Sequence, residues 1–143
     1  MGVLSAFGQS KIADLKDKIN INSRDINIEK KRIKENEAQM QSISYKRDII
    51  ELKKSNVEQD IIRAREFVFL RTSEEKVEQI LNLKEKLSIL EKEGTKFYDL
   101  YHKIEQENKE RLSKIQSMEK LNAGYSKQLA ELEKSWKAKY FDW

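Results

Sequence analysis

Cysteine and proline are both absent from this 143-residue chain, and it has four glycines and a single histidine. Without cysteine there is no disulfide, no thiolate metal site and no thiol nucleophile, and the redox compartment leaves no trace. Without proline, and with glycine so scarce, little in the chain would break a helix. No apolar run approaches the ~20 residues needed to span a bilayer. No secretory leader is visible either, because Val3, Leu4 and Phe7 form too broken an apolar stretch. Gly2 follows the initiating Met, but Ala6 stands where a myristoylation pattern requires Ser or Thr.

What is abundant is charge, at 38% of residues. That share, with so few helix breakers, is the composition of long helices and coiled coils rather than of an ordinary globule. The charge is unevenly placed. Residues 1–72 hold 15 Lys and Arg against 11 Asp and Glu, giving +4, while residues 73–143 hold 14 of each, giving zero. Localisation stays unknown, with an intracellular setting or an assembled particle expected.

The apolar residues follow a heptad. In the first half Ile12, Ile19, Ile26, Ile33 and Met40 form column a, and Leu15, Asn22, Glu29, Asn36, Ile43, Ile50 and Val57 form column d. In the second half Ile80, Leu87, Gly94, Tyr101, Asn108, Ile115, Asn122, Leu129, Trp136 and Trp143 form a. Column d there is Leu83, Leu90, Phe97, Ile104, Arg111, Met118, Tyr125 and Leu132. When paired residue numbers sum to 144, every a faces a d, as an antiparallel pair of helices requires. Asn22 then meets Asn122 and Asn36 meets Asn108. A buried amide is costly without a partner, so Asn facing Asn rejects registers that set Asn against Leu. These four asparagines are the expected register-setting core. The sequence Thr72-Ser-Glu-Glu75 reads as a capping box at the centre of this symmetry. The expected fold is therefore all-α: one coiled-coil domain over 1–143, folded as a long antiparallel helical hairpin and packed into a larger helical bundle or assembly. Helix one is expected over about 10–70, the turn over about 69–73 and helix two over about 73–140. Two helices of about 60 residues give a rod of roughly 90 Å. An antiparallel dimer of separate chains would satisfy the same pairing.

Weak points are also legible. Asn20 to Ile28 is rich in indifferent helix formers and could kink. Gly94 would face Ile50, either inside a continuous helix, which the unbroken heptad phase favours, or at a helix end. Arg47 facing Phe97 and Lys54 facing Leu90 can cover apolar neighbours with their stems. Glu29 facing Ile115 has no such route and is expected to meet a partner. The basic block Lys30, Lys31, Arg32 and Lys34 would lie near Glu105, Glu107 and Glu110, helping partner choice more than stability.

Ile21, Ile28, Ile49, Leu52 and Ile62 lie off the seam of helix one. Leu81, Ile89, Tyr98, Leu100, Leu112 and Leu121 do so on helix two. A two-helix fold has no second core for them, which points to sideways docking on copies of itself or on another protein. The ends are further candidates for partner binding: Trp136, Tyr140, Phe141 and Trp143 at one, Phe67, Phe69 and Leu70 at the other. Leu4 and Phe7 are candidates for membrane or partner contact.

Catalysis is poorly supported. His102 has Asp99 and Glu105 three residues to either side, but no recognisable catalytic or metal-binding motif occurs. No cofactor is expected. Nucleic acid is disfavoured as a partner, because acidic residues intersperse the basic block and no aromatics interleave it. The function expected is a non-enzymatic structural or adaptor protein, with protein partners, self-association or both. The alternative is a peripheral membrane protein using an amphipathic N-terminal helix and the C-terminal aromatic cluster. In architecture alone the chain is similar to the central-stalk hairpins of type III and flagellar export machines. It also resembles, more loosely, the helical-hairpin partners of type VII secretion effectors, although their Trp-x-Gly turn is missing. A likeness of shape implies no function.

Overall fold

The computed structural model describes the backbone over residues 2–66 and 73–140, and side chains over 8–66 and 74–135. These residues form two helices, α1 (Gly2–Glu66) and α2 (Ser73–Tyr140), packed against each other as an all-α helical hairpin. There is no strand among the described residues. α1 begins at Gly2 rather than near Ser10 and passes through Asn20–Ile28 without interruption. Indifferent local propensity there is overridden by burial of the apolar face, the usual source of helix stability in proteins. α2 runs through Gly94 and Gly124, and no described glycine has a positive φ. Gly94 is therefore a helix-interior residue and not a cap.

The heptad columns are the buried stripe. Each a and d position from Ile12 to Ala64 in α1, and from Ile80 to Leu132 in α2, is buried or half-buried. No described side chain is fully dry, as expected of a seam rather than a rounded core.

The chain divides into two compact units, each with its own piece of seam: Met1–Glu35 with Glu107–Trp143, and Asn36–Gln106. In the first, Ile26, Ile115 and Met118 form a core cluster against which Ile33 packs. In the second, Ile43, Ile50, Val57, Ile61 and Ile104 are buried. The α carbon of Gly94 approaches Ile50 so closely that an added Cβ would sit 3.6 Å from Ile50 Cγ2. That is the pairing that a register sum of 144 requires.

The helix ends nearest the turn are electrostatically matched. Arg63 and Arg65 lie in the last turn of α1, and Glu74 and Glu75 in the first turn of α2. Each set opposes the partial charge of its helix end. Lys76 Nζ also donates to the Arg65 carbonyl at 2.8 Å, satisfying one of the last-turn acceptors of α1. Thr72, the expected capping residue, lies outside the described residues.

Candidate functional site

In the first unit, the seam is interrupted by polar layers. Glu29, at a d position, is only 8% exposed. Arg111, at the facing helix's d position, donates from Nη1 to Glu29 Oε2 at 2.8 Å. Its Nη2 and Nε both donate to Glu107 Oε1, at 2.6 and 3.2 Å. Lys114 Nζ reaches Glu29 Oε1 at 3.4 Å. Glu29 therefore has its partners inside the chain, correcting the expectation that it would look elsewhere for one. The hydrogen bond from Arg111 holds the Glu29 carboxyl below its ordinary value of 4.5; burial pushes the other way, and Lys114 reinforces Arg111. The Arg111 guanidinium is pushed up by Glu107 first and by Glu29 second. A bidentate-capable guanidinium bridging two carboxylates is a strong orienting device, because each hydrogen bond is charge-assisted.

About three turns beyond Arg111 along α2, Asn122 donates from Nδ2 to the Ile19 carbonyl at 3.4 Å and to Ser23 Oγ at 3.3 Å. The bond expected to Asn22 is replaced by bonds to residues flanking it. Asn22 is itself half-buried. Asn122 Oδ1 is buried without a hydrogen-bond partner. Asn36 belongs to the second unit and Asn108 to the first, and each is half-buried. Lys30 pairs with Glu119 at 3.7 Å, an exposed bridge across the helices. Lys18 lies 5.6 Å from the centre of the Tyr125 ring.

In the second unit, the basic seam residues Arg47 and Lys54 are half-buried. The Arg47 guanidinium lies 5.0 Å from the centre of the Tyr98 ring, and Lys46 Nζ 5.8 Å from that of Phe97. Lys54 reaches Glu51 at 3.5 Å. His102 is exposed, packs edge-on against Tyr98 at 4.2 Å between ring centres, and lies 3.7 Å from Glu105. Among the described residues, no group of three His, Cys, Asp or Glu side chains is placed to hold a metal ion. Nor is any helix of the described residues long and apolar enough to cross a membrane.

The off-seam apolar residues remain outside. Ile21, Ile28, Leu52, Ile62, Leu81, Ile89, Tyr98, Leu100, Leu112 and Leu121 are each 45–65% exposed, and Tyr45 and Val77 join them. Ile49 alone of the expected set is half-buried. The candidate contact residues at the ends (Leu4, Phe7, Phe67, Phe69, Leu70, Trp136, Tyr140, Phe141 and Trp143) fall outside the described side chains. The ionic layer was the feature that column reading missed. Its signal was present, an acid and a base in the d columns of the two helices, one turn from direct opposition. Strict pairing by number placed Ile115 there instead.

Compared with family models, with curated proteins and with solved structures, the chain matches none of them.

Proposed function

We propose that this chain is a non-enzymatic structural or adaptor protein, a coiled-coil hairpin that mediates protein–protein assembly in a larger complex. The observation that carries this reading is the off-seam apolar surface. Side chains such as Ile28 at 52%, Leu52 at 65% and Ile89 at 58% exposed have no work in the hairpin itself. Large apolar residues repeated along the outer faces of both helices are most economically explained by further helices docking on them. The ionic layer at Glu29 and the asparagines fix register at some cost in stability, the use for which buried polar residues in helical seams are best attested. A structural element with a defined outer surface needs its register fixed.

Photo-crosslinking in the native cell tests this, with a photoreactive residue placed at Ile28, Leu52, Ile89 or Leu112 in turn and at buried Ile115 as control. Defined protein adducts are expected at the off-seam positions and only intrachain products at the control. No protein adducts, together with flotation of the purified chain on anionic vesicles, would refute the reading in favour of membrane attachment.

A further inference from the structure

The two units differ in where they keep their acids. Among the described residues, Glu29 is the one charged or polar residue that is buried, and it lies in the seam of the first unit. From α2, Arg111 and Lys114 reach the two Glu29 oxygens at 2.8 and 3.4 Å. Arg111 gives Nη2 and Nε to Glu107. On α1 itself, Asp25 and Arg32 stand one turn to either side of Glu29, and both are exposed.

With both carboxylates ionised, Glu29, Glu107, Arg111 and Lys114 balance one another. Protonation of Glu29 and Glu107 leaves two cations and no anion among the four. One of those cations is the half-buried Arg111 guanidinium. A cation left in a seam without its counter-ion is strongly destabilising, because its desolvation cost stays while its pairing is lost.

The second unit has no buried carboxylate among the described residues. Its seam cations are Arg47 and Lys54. The Arg47 guanidinium lies over the Tyr98 ring at 5.0 Å, an uncharged partner that acid leaves unchanged. Lys54 pairs with Glu51, whose side chain is 71% exposed, and an exposed pair of that kind contributes little. Exposed carboxylates occur in both units, so their loss of charge does not distinguish them.

We propose that the Glu29 layer is an acid-sensitive latch: protonation of Glu29 and Glu107 opens the seam of the first unit while that of the second stays closed. Opening uncovers Ile26, Ile33, Ile115 and Met118, which pack together in the closed unit. The latch releases below pH 4.5. Arg111, opposed by burial and helped by Lys114, holds the Glu29 carboxyl under that ordinary value. Its contribution is complete above the ordinary value and is lost as pH falls through the lowered one. No partner is needed, so the latch stands apart from the assembly reading.

Pairs of spin labels read each seam separately, since the chain has no cysteine of its own. Asn27 and Gln116 are exposed positions on the two helices of the first unit, and Ser55 and Ser88 are their counterparts in the second. Each pair is replaced by cysteines, labelled, and measured by pulsed electron paramagnetic resonance at about pH 7 and about pH 3, either side of the carboxylate range. The first-unit distance should lengthen and broaden in acid and recover on neutralisation, with the second-unit distance unchanged. Glu29→Gln/Glu107→Gln should open the first unit at neutral pH, because it fixes both groups in their uncharged form. Second-unit labels in the same variant report whether the rest of the chain stays folded. Glu29→Leu/Arg111→Leu should keep the first unit closed in acid, since an apolar pair replaces the ionic one. An unchanged first-unit distance in acid overturns the proposal. So does equal widening in both units, which is general acid unfolding, or a leucine variant that opens as wild type does.

Discussion

Replacing Gly94 with alanine should stabilise the protein. Glycine inside a helix costs about 1 kcal/mol relative to alanine, chiefly through the freedom it retains in the unfolded chain. The position requires no positive φ, so alanine meets no backbone strain. The added Cβ would lie 3.6 Å from Ile50 Cγ2, an ordinary van der Waals contact. A fully buried methyl group adds about 0.8 kcal/mol, and a half-buried one about half of that. The expected gain is therefore about 1.4 kcal/mol, or roughly 4 °C in melting temperature for a chain of this size. Gly124→Ala is the internal control, because nothing lies within 4 Å of its added Cβ. It should gain only the helix term, about 1 kcal/mol. Urea denaturation followed by circular dichroism, at matched protein concentration, measures both. A loss of stability in Gly94→Ala would refute the reasoning. It would mean that α2 breaks at Gly94, or that Ile50 is not opposite it.

Ile115→Ala, at a residue 5% exposed and in contact with the Ile26–Met118 cluster, should cost about 3 kcal/mol by chemical denaturation; a loss under 1 kcal/mol would contradict that cluster. Glu29 gives a pH dependence of known sign. Its carboxyl is held below 4.5 in the folded chain, so its contribution is complete above the ordinary carboxylate pKa and disappears as pH falls through the lowered folded value. Glu29→Gln should flatten the loss of stability between neutral and strongly acidic pH, and an unchanged slope would show that Arg111 is not its partner. Asn122→Leu removes a buried acceptor without a hydrogen-bond partner and should raise stability by about 1 kcal/mol, while permitting alternative registers detectable as heterogeneous crosslinks. A destabilised variant would show that the amide's two hydrogen bonds outweigh its orphaned oxygen.

The fold was legible because heptad spacing is a direct image of helix geometry. The a and d columns read from Ile12 onward are the residues the hairpin covers, and Gly94 does meet Ile50. The start of α1 was less legible, since Gly2 to Gln9 has no strong cap or periodic signal. The polar layers were legible as anomalies but not in their partners. Long side chains reach a full turn along the neighbouring helix, so Arg111 takes Glu29 although Ile115 is opposite by number. Asn122 bonds to the Ile19 carbonyl and Ser23 hydroxyl on either side of Asn22, rather than to Asn22 itself. A column argument fixes Cα positions and leaves the polar ends of side chains a choice of several acceptors. The outer apolar residues were visible from the start, and what they contact is not a property that one chain's periodicity encodes.

One chain closes on itself through this seam, with Ile28, Leu52 and Ile89 among the apolar residues left exposed. Oxidation of the double variant Ile50→Cys/Gly94→Cys tests this most directly, because the native chain contributes no competing thiol and the two positions are in contact. Intact mass and a non-reducing gel should show the two thiols lost within a single chain at monomer mass. Disulfide found only between chains would contradict the hairpin, and would assign the seam to an antiparallel dimer of separate molecules.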